Sequence, residues 1–496
     1  MKNKFYITTA ILYTNAPVHL GFAMELIQAD AIARYHRLIG DDTYFLTGTD
    51  EHGATVVKGA EKAGKGVKEF VDEMAEQAQK LTKVLNISND DFIRTSDQVR
   101  HWPAAQKIWK LLGDDLYKKN YEGLYCVGHE AFIKKSDLVD GVCPLHKTEP
   151  EKIKEENWFF KLTKYKTEVK KKIESGELKI VPETRKQEIL NLIDDAEDVS
   201  FSRPSKDLKW GVPVPEDETQ TMYVWADALT NYISALGYGG NEERMDYWPA
   251  DVHLVGKDIL RFHALIWPAM LLSAGLPLPK AIYVHGFITV DGEKMSKTIG
   301  NVVDPFEAVK KYGAEVVRYF LLREIPSGDD GDFSYKKLEE RYNGDLANGL
   351  GNLVQRVVTL IGSNLDGELI FDKNNFILET GQEKDVANSK GYEYFLNNFE
   401  LHRAIDSVWT RINIANQYID DRKPWLETKD NPKSFLVTMT ILVGMIHHIA
   451  WSLQPFMPET AEKIAKIFGD NLSNKEIHEN YKFIVKKGGS LFPRLN

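Results

Sequence analysis

His19 and Gly21 stand where a strand-like run gives way to a helix-like pattern, and these two residue types can handle phosphate there. The run KFYITTAIL leads into a turn at 14–17, and His19-Leu20-Gly21 opens an amphipathic stretch. Amides at a helix N-terminus, with the helix dipole behind them, attract anions. A glycine lets a phosphate or a nucleotide ring approach the backbone, and an imidazole can donate to a phosphoryl oxygen. Taken alone, a histidine that caps a helix in any α/β protein is slightly favoured, because short motifs often match by chance.

A second group with chemical potential is the lysine pair of VDGEKMSKTIGN, between two glycine-containing turns. Lys294 and Lys297 on a mobile loop can supply positive charge where a pyrophosphate leaves, and can close over it in the transition state. A lysine-rich surface loop is common, so this segment is weak alone. The histidine–glycine helix start and the lysine loop, in this order and far apart in the chain, are far more specific together.

Two short motifs each contain a cysteine and a histidine at metal-ligand spacing, Cys126-Val-Gly-His129 and Cys143-Pro-Leu-His146. Each motif offers two ligands separated by two residues, and a loop joins the motifs, as a closed tetrahedral zinc site requires. The alternative is a pair of buried thiols beside unrelated histidines. The spacing favours zinc in a structural role, because four protein ligands leave no open position.

The elements that would position these residues begin with a βαβ rhythm. FYITTAIL and DTYFLTGTD are short apolar runs that each end in a polar turn, with helical periodicity between them. This pattern predicts a parallel sheet, whose ligands bind at the carboxyl ends of its strands. His19 and Asp50 both fall just beyond such ends.

The pattern changes from Tyr117 to about Ser202, where the two cysteine motifs are followed by a Lys/Glu-rich stretch typical of a solvated helix. Strand-like runs return at TMYVWADAL, DVHLVGKDI and AIYVHGFITV, which indicates a sheet split by an insertion. From about Arg341 to Gln454 almost the whole chain has helical periodicity. The segment SLQPFMPETAEKIAKIF then adds a further helix that starts at a proline.

Composition excludes several classes of protein. The chain has 496 residues, of which 43% are hydrophobic and 27% charged, typical of a globular protein of about three domains. Its net charge of −10 argues against a general nucleic-acid coat but leaves room for a local basic patch. With two cysteines, a disulfide scaffold is excluded and a reducing compartment is indicated.

Two segments resemble membrane elements only superficially. The apolar part of the N-terminus is short and broken by threonines, and no cleavage site follows, so we reject a secretory signal. The run Phe435 to Leu453 is nearly long enough to span a bilayer, but its histidines and threonines favour a buried core helix. We therefore expect a cytoplasmic protein without a membrane partner.

The motifs together resemble a known family. PVHLGF and KMSKT look like the HIGH and KMSKS signatures of class I aminoacyl-tRNA synthetases. AILYTNAPVHLG, GTDEHG, YVWADALTNYI, VGKDILRFHALIWPAML and VHGFITVDGEKMSK are similar, in this order, to motifs of the methionyl-tRNA synthetases. The resemblance extends from Phe5 through the helical C-terminal part, and this set of motifs is very specific.

The resemblance implies an α/β fold with three parts: a class I Rossmann-type parallel-sheet catalytic domain, an inserted zinc-knuckle connective domain and a C-terminal α-helical anticodon-binding bundle. The expected boundaries are 1–115 and 203–290 for the two halves of the catalytic domain, 116–202 for the insertion, 291–340 for the lysine loop with a region that contacts the tRNA stem, and 341–496 for the bundle.

The resemblance also implies an ATP-dependent ligase. Methionine and ATP give methionyl-adenylate and pyrophosphate, and methionine then passes to the 3′ end of tRNA(Met) with its CAU anticodon, for initiation and elongation of translation. Mg²⁺ accompanies ATP in this reaction. Two alternatives remain open, a small-substrate adenylyltransferase and a catalytically inactive relative that only binds tRNA.

A methionine pocket follows from the family pattern. Asp50 is expected to bind the substrate ammonium by a charge-assisted hydrogen bond, while an apolar, aromatic pocket suits the thioether. The alternative for Trp225 and Tyr232 is plain core packing. Because one methylene is worth only about 1–3 kcal/mol, pocket size cannot reject homologues well; the resemblance implies that homocysteine is rejected at this site by cyclisation to a thiolactone. The expected lining is Ala10, Ile11, Tyr13, Trp225, Ala228, Leu229, Tyr232, Ile259 and His263.

The ATP site implied by the resemblance combines the first two groups. His19, Gly21, Lys294 and Lys297 are the expected catalytic residues. Phe22 occupies the position where the family usually has a second histidine, and its ring cannot donate to a phosphate. Either another donor substitutes, such as a helix-start amide or Lys297, or adenylation is slower. The complete ATP-binding set is His19, Gly21, Phe22, Gly256, Asp258, Lys294 and Lys297.

The helical C-terminal part resembles the anticodon-binding bundle of the family. Asn352, Arg356 and Trp425 match the residues that read CAU, since an exposed tryptophan offers a stacking face for an unstacked base. A tryptophan packed into the bundle is the alternative. The chain ends soon after this bundle, without the dimerising domain of many relatives, so we expect a monomer. One structural zinc per chain is implied, with His129 a departure from the usual cysteine that affects metal affinity more than fold.

Overall fold

The computed structural model describes residues 2–126, 131–133, 135, 138–144, 147–295, 301–372, 389–486 and 488–495. The chain divides into two compact units. Unit 1 consists of Met1–Ala29 with Asp41–His285, and unit 2 consists of Asp30–Gly40 with Gly286–Asn496.

The strands described in unit 1 belong mainly to one parallel sheet and one antiparallel sheet. In chain order they are β1 (Lys4–Thr9), β2 (Leu12–Tyr13), β3 (Asp42–Asp50), β4 (Asp91–Arg94), β5 (Leu116–Cys126), β6 (Ala131–Ile133), β7 (Glu151–Phe160), β8 (Lys179–Val181), β9 (Val199–Ser200), β10 (Ser202–Pro204), β11 (Gln220–Met222), β12 (Val252–Gly256) and β13 (Ala281–His285).

The helices of unit 1 connect these strands. They are α1 (Leu20–Leu38, whose last residues belong to unit 2), α2 (Ala54–Lys62), α3 (Val67–Val84), α4 (Trp102–Leu112), α5 (Leu162–Ser175), α6 (Glu183–Asp194), α7 (Val224–Ala228), α8 (Asn231–Ser234) and α9 (Trp267–Ser273), with 3₁₀ turns at Gly113–Asp115, Met245–Tyr247 and Lys257–Ile259 and a π-helical turn at Phe262–Ile266.

The seven-stranded parallel sheet has hydrogen-bonded neighbours in the order β2–β3–β1–β12–β13–β8, and β4 also pairs with β3. Strand β1 lies between β3 and β12, so the strand order reverses there. Such a switch point, at the carboxyl edge of the strands, is where open α/β sheets bind ligands. The edge carries Ala10 after β1, Asp50 at the end of β3 and Gly256 at the end of β12.

Helix α1 differs from the amphipathic pattern that the sequence suggested. Every residue from 22 to 33 is buried, so the helix has no solvent face over this stretch. A helix that is buried all round belongs to the interior of a large protein. The helix start at Leu20 is therefore held by packing along most of the helix that follows.

An antiparallel sheet of β6, β5, β7 and β9 follows the first three long strands of the parallel sheet. The expected insertion over 116–202 also contains β8, yet β8 pairs in parallel with β13 at the edge of the main sheet. The Lys/Glu-rich helix α5 is not solvated on all sides, because its residues Leu162, Val169 and Ile173 are fully or almost fully buried in the main core. Spacing of seven and four residues places these three side chains on one apolar face of the helix, beneath the charges.

Unit 2 is mainly helical. Its described helices are α10 (Pro305–Tyr312), α11 (Ala314–Glu324), α12 (Tyr335–Arg341), α13 (Asn352–Asn364), α14 (Ser389–Asn397), α15 (Leu401–Arg422), α16 (Pro424–Asp430), α17 (Pro432–Leu453) and α18 (Pro458–Phe468), with a π-helical segment at Tyr342–Gly351; its described strands are β14 (Ile288–Val290), β15 (Glu293–Lys294), β16 (Gly331–Phe333), β17 (Glu368–Ile370) and β18 (Lys482–Ile484).

Helix α17 is long and apolar enough to cross a membrane, but 83% of its most apolar window is buried inside the protein. The prediction of a buried core helix for this segment is confirmed. The amide of Ser434 donates to the side chain of Asn431, which caps the helix, and Pro432 occupies its first turn.

Candidate active site

The start of α1 favours one tautomer of the neutral His19 ring. The amide of Gly21 donates to Nδ1 of His19 at 3.1 Å, and the amides of Phe22 and Ala23 donate to the His19 carbonyl at 3.1 and 3.2 Å. Because Nδ1 accepts a hydrogen bond, the proton of the neutral ring resides on Nε2. His19 is exposed, so Nε2 is a hydrogen-bond donor at the surface of a helix N-terminus.

Gly21 is needed by the His19 ring as well as by any ligand. A Cβ at this position would lie 3.0 Å from both Cε1 and Nδ1 of His19. Any side chain here would therefore push the imidazole away. Phe22 is 5% exposed, so its ring belongs to the packed interior rather than to the surface that His19 occupies.

Asp50 is the last residue of β3, and hydrogen bonds connect it to neighbouring segments. Tyr13 pairs with Asp50 across β2 and β3, and both the amide and the hydroxyl of Thr14 donate to the Asp50 carbonyl at 3.0 Å. The Asp50 carboxylate is 6% exposed and receives the Thr95 hydroxyl at 3.4 Å. A carboxylate this sheltered binds a cation with little competition from water.

Two aromatic rings of the same unit stack on each other. Trp225 and Phe262 lie parallel, with ring centroids 3.8 Å apart and an interplanar angle of 8°, and the ring of His263 meets Trp225 edge-on at 6.1 Å. Phe262 begins the π-helical turn at Phe262–Ile266, and such turns are frequent at functional sites. Sequence reasoning missed Phe262, because a π-helical turn has no simple periodicity.

His263 and Tyr232 form a buried hydrogen-bonded pair. Nδ1 of His263 donates to the Ile259 carbonyl at 3.0 Å, so Nε2 accepts the Tyr232 hydroxyl at 2.7 Å. Burial lowers the pKa of His263 to about 4, although the Ile259 carbonyl favours the protonated ring. The imidazole is therefore neutral at neutral pH and presents no positive charge to the thioether or the ammonium of a ligand.

The residues expected to line a methionine pocket all belong to unit 1, and seven of the nine lie in its main hydrophobic cluster or pack against it. Three of them, Ala10, Leu229 and Tyr232, lie in the main hydrophobic cluster, and Ile11, Tyr13, Trp225 and Ile259 are half-buried against it. Ala228 is 3% exposed. Trp225 is thus partly accessible, although it packs against this cluster.

Two residues expected to bind ATP, Gly256 and Asp258, lie at and just beyond the end of β12. A Cβ on Gly256 would lie 2.7 Å from Oδ1 of Asp258 and 3.7 Å from the His285 ring, so only glycine lets the Asp258 carboxylate fold back over the strand end. Asp258 itself is exposed. This arrangement presents a carboxylate acceptor where a ribose or an amino group could be bound.

Glu25 and His285 are a pair that sequence reasoning missed. Oε2 of Glu25 meets Nε2 of His285 at 3.0 Å, and among the described residues its Oε1 has no hydrogen-bond partner although Glu25 is 7% exposed. The Ala10 amide lies beside this carboxylate and also donates to the Leu254 carbonyl. Burial raises the pKa of Glu25 and the His285 contact opposes this. The sequence signal that could have identified this pair was an acidic residue, Glu25, within the otherwise apolar run FAMELI.

The lysine loop begins in unit 2. Strand β15 pairs antiparallel with β14, which sets Lys294 opposite Thr289, and Asp332 receives the Gly292 amide at 2.6 Å before the loop. Lys297 lies outside the described residues. The positions of both lysines toward a ligand remain a prediction.

The two cysteines of the predicted zinc site are fully buried, whereas His129 and His146 lie outside the described residues. Cys126 ends β5, and the Cys143 carbonyl accepts the Lys147 amide at 2.7 Å in a tight turn. No group of three or more potential metal ligands occurs among the side chains that are described, a search that leaves out both histidines.

The predicted anticodon residues lie together on unit 2. Asn352 and Arg356 are one turn apart on α13, and the Arg356 guanidinium lies 5.7 Å from the centre of the Trp425 ring. Nη2 of Arg356 also meets Asp420 at 2.6 Å. Trp425 is 46% exposed, so its ring offers a surface and is not packed into the bundle.

Comparison with known proteins agrees with this geometry. The sequence profile of the family described as tRNA synthetases class I (M) matches residues 5–151 and 133–358. A Methionine--tRNA ligase from Thermotoga maritima is 41% identical over 98% of this chain and 79% of its own length, and one from Brucella suis is 42% identical over 94% and 92%. The chain belongs to the methionine–tRNA ligase family.

Further matches cover both parts of a methionine–tRNA ligase. The profile of an anticodon-binding domain of tRNA ligases matches residues 389–487. A structure of Mycobacterium tuberculosis methionyl-tRNA synthetase in complex with methionyl-adenylate superposes with a TM-score of 0.92 at 37% identity, covering all of both chains. The α/β fold with a parallel sheet, a class I catalytic domain and an anticodon-binding domain is therefore confirmed.

Proposed function

We propose that this protein is an ATP-dependent methionine–tRNA ligase. It activates L-methionine with ATP to methionyl-adenylate and pyrophosphate, and transfers methionine to the 3′ end of tRNA(Met) for initiation and elongation. The observation that carries the proposal is that the sheltered Asp50 carboxylate and the Gly256–Asp258 turn end the two strands that flank β1 in one parallel sheet, while the half-accessible Trp225 packs against the main core of the same unit.

Methionine is held by charge at one end and by apolar contacts at the other. Asp50 binds the ammonium, since a charge-assisted hydrogen bond in a sheltered site is strong. The thioether packs against Trp225 and the neutral His263–Tyr232 pair, because sulfur makes favourable contacts with rings. The half-buried exposure of Trp225 supports a binding wall over plain core packing.

ATP binds along the start of α1 and the ends of β12 and β13. The helix amides and Nε2 of His19 donate to phosphate oxygens, and the carboxylate of Asp258 and the unpartnered Oε1 of Glu25 accept from the hydroxyl or amino groups of the nucleoside. Mg²⁺ enters with ATP, coordinated largely by phosphate oxygens and water. Lys294 and Lys297 stabilise the leaving pyrophosphate.

No protein side chain acts as a nucleophile in this reaction. The methionine carboxylate attacks the α-phosphorus, and pyrophosphate leaves. The protein contributes by holding the two reactants close and in line and by offering donors where negative charge develops. Because Phe22 is buried, the second donor comes from a helix-start amide or from Lys297.

The tRNA is read through its CAU anticodon at the surface formed by α13 and α16. Trp425 stacks on one unpaired base, while Asn352 and Arg356 bond base edges. The arginine beside the ring supports this assignment, because cation–π contact orders both side chains before binding. We further propose that the protein acts as a monomer in the cytoplasm.

One structural Zn²⁺ is part of the proposal. Cys126, His129, Cys143 and His146 would hold it, and two thiolates with two imidazoles fit tetrahedral zinc. The complete burial of both thiols supports the assignment. When bound, the metal stabilises the inserted antiparallel sheet and takes no part in the reaction.

Methionine-dependent exchange of labelled pyrophosphate with ATP tests the whole proposal. Purified protein should exchange only when methionine is present, and Asp50→Asn should remove most of this activity. An adenylyltransferase for another substrate, or a relative that only binds tRNA, would give no methionine-dependent exchange, and that result would end the proposal.

A further inference from the structure

A fully buried carboxylate, Asp227, binds two imidazoles at once. Its Oδ2 receives Nδ1 of His52 at 2.7 Å, and its Oδ1 receives Nε2 of His101 at 2.8 Å. The other nitrogen of His101 meets the Ser234 hydroxyl at 2.9 Å. All four side chains are 0–2% exposed, and no step of the proposed reaction uses them.

The direction of these hydrogen bonds is determined by the carboxylate. An ionised carboxylate only accepts, so Nδ1–H of His52 and Nε2–H of His101 both donate to Asp227. Burial alone would raise the pKa of Asp227, but the two imidazoles outweigh it and lower that pKa. The carboxylate is therefore ionised at neutral pH, with both of its oxygens occupied.

Three of the four members of this network come from segments that also carry the proposed methionine pocket. His52 follows Asp50 by two residues, Asp227 follows Trp225 by two residues within α7, and Ser234 follows Tyr232 by two residues within α8. His101 directly precedes α4 and joins the other three. The network therefore connects the residues that follow Asp50 to the segments that carry Trp225 and Tyr232.

A second set of contacts holds the same segment through Glu51, the residue between Asp50 and His52. The Glu51 carboxylate is fully buried and receives Nε and Nη2 of Arg94 at 2.6 and 2.9 Å. The indole of Trp210 donates to the Glu51 carbonyl at 2.5 Å and lies edge-on to the His52 ring at 5.9 Å. The residues on the C-terminal side of Asp50 are therefore held by two independent carboxylates.

Such a network is a costly way to hold a core together. Removing a carboxylate from water costs several kcal/mol, and well-packed apolar residues are often as stabilising as a buried ionic group. What directional hydrogen bonds add is a defined position for each segment, and catalysis is sensitive to position, since a shift of about 1 Å can reduce the rate about 10²-fold.

We propose that Asp227 is the positioning residue of the methionine site: by holding His52 and His101 it sets the distance between Asp50 and the aromatic residues Trp225 and Tyr232. This inference rests on the proposed methionine pocket. Asp227 does not touch substrate in this scheme and acts only through the residues that it positions. The nucleotide side of the edge, around Gly256 and Asp258, receives no member of the network.

The test compares Asp227→Asn with Asp115→Asn in pyrophosphate exchange. Asp115 is a matched control, because it is 7% exposed, lies in the same unit and binds Lys164 at 2.6 Å and Ser273 at 2.8 Å, two residues that are not part of the proposed pocket. Asp227→Asn should reduce kcat/KM for methionine by up to about 10²-fold with little change in the KM for ATP. Asp115→Asn should leave both constants nearly unchanged.

A second pair of variants keeps the proposal testable if Asp227→Asn does not fold. His101→Gln retains an N–H at the Nε2 position, whereas His101→Ala removes it. We expect His101→Ala to raise the KM for methionine and His101→Gln to restore most of the loss. Circular dichroism and thermal unfolding of all variants report folding separately.

The outcomes separate this inference from the proposed function. If the wild-type protein shows no methionine-dependent exchange, both fail. If the wild-type protein exchanges and Asp50→Asn is inactive, but folded Asp227→Asn has a normal KM for methionine, only the positioning role is overturned. An equal rise in the KM for methionine and for ATP would also overturn it, because that pattern marks general loosening of the fold.

Discussion

The amide of Gly21 donates to Nδ1 of His19 across 3.1 Å, and the same glycine has no Cβ that would displace the ring. One residue therefore defines both the tautomer and the position of the histidine at the start of α1. The helix that follows is buried over residues 22–33, so the histidine is presented from a firmly packed element.

Gly21→Ala should displace the His19 ring and slow adenylate formation. Loss of one donor to developing negative charge typically reduces kcat about 10²–10³-fold, with methionine KM nearly unchanged. Single-turnover formation of methionyl-adenylate measures the effect. Gly66→Ala is the matched control, because Gly66 lies at the start of another helix as its N-cap, has φ −65° and has open space around an added Cβ. Equal rates in wild type and Gly21→Ala would contradict the role of the ring.

Phe22→His should not improve the enzyme. Phe22 is 5% exposed, so the new imidazole would be buried without an assigned partner, at a cost of about 1–3 kcal/mol in the free energy of unfolding. Chemical denaturation and single-turnover adenylation together measure this. A clear rise in the adenylation rate would show instead that the site lacks a second donor and that the position can supply one.

Trp425→Ala should weaken tRNA binding and leave exchange activity intact. One stacked base is worth about 1–3 kcal/mol, and the ring is 46% exposed, so little packing is lost. Filter binding of tRNA(Met) and pyrophosphate exchange measure the two effects. Tyr394→Ala is a control at another exposed aromatic residue of unit 2, 58% accessible, and should bind tRNA normally. Loss of exchange in Trp425→Ala would indicate a role in the fold.

His263 should remain neutral between pH 5 and 8. Its pKa is lowered to about 4 by burial, while an unfolded histidine titrates near 6.5. Between these values the unfolded state binds more protons than the folded state, so the contribution of His263 to stability rises with pH there and falls as pH drops from about 6.5 to about 4. NMR titration of the imidazole tests this, and a midpoint near 6.5 would be inconsistent with the buried ring.

Freshly purified protein should contain close to one equivalent of zinc. Four ligands from Cys126, His129, Cys143 and His146 form a closed site whose binding is coupled to folding. Elemental analysis measures the content, and Cys143→Ser should lower both the zinc content and the thermal stability. A zinc content below about half an equivalent in wild type would count against the site, given four ligands at this spacing.

Much of the candidate site was determined by local sequence. His19 and Asp50 each lie just beyond an apolar run, and strand ends in a parallel sheet collect at one edge, so the runs alone predicted that both lie at that edge. His19 and Gly21 interact within three residues, and their helix-start chemistry is local as well. The burial of α17 likewise followed from its composition.

Only the tertiary structure decided the contacts between distant segments. Glu25 meets His285 across 260 positions of the chain, and Asp227 meets His52 across 175, and no periodic pattern marks either pair. Strand β8 joined the main sheet because pairing with β13 depends on what lies beside it in space. Sequence periodicity reports which side of an element is buried, whereas which residues meet there is set by the packing of the whole unit.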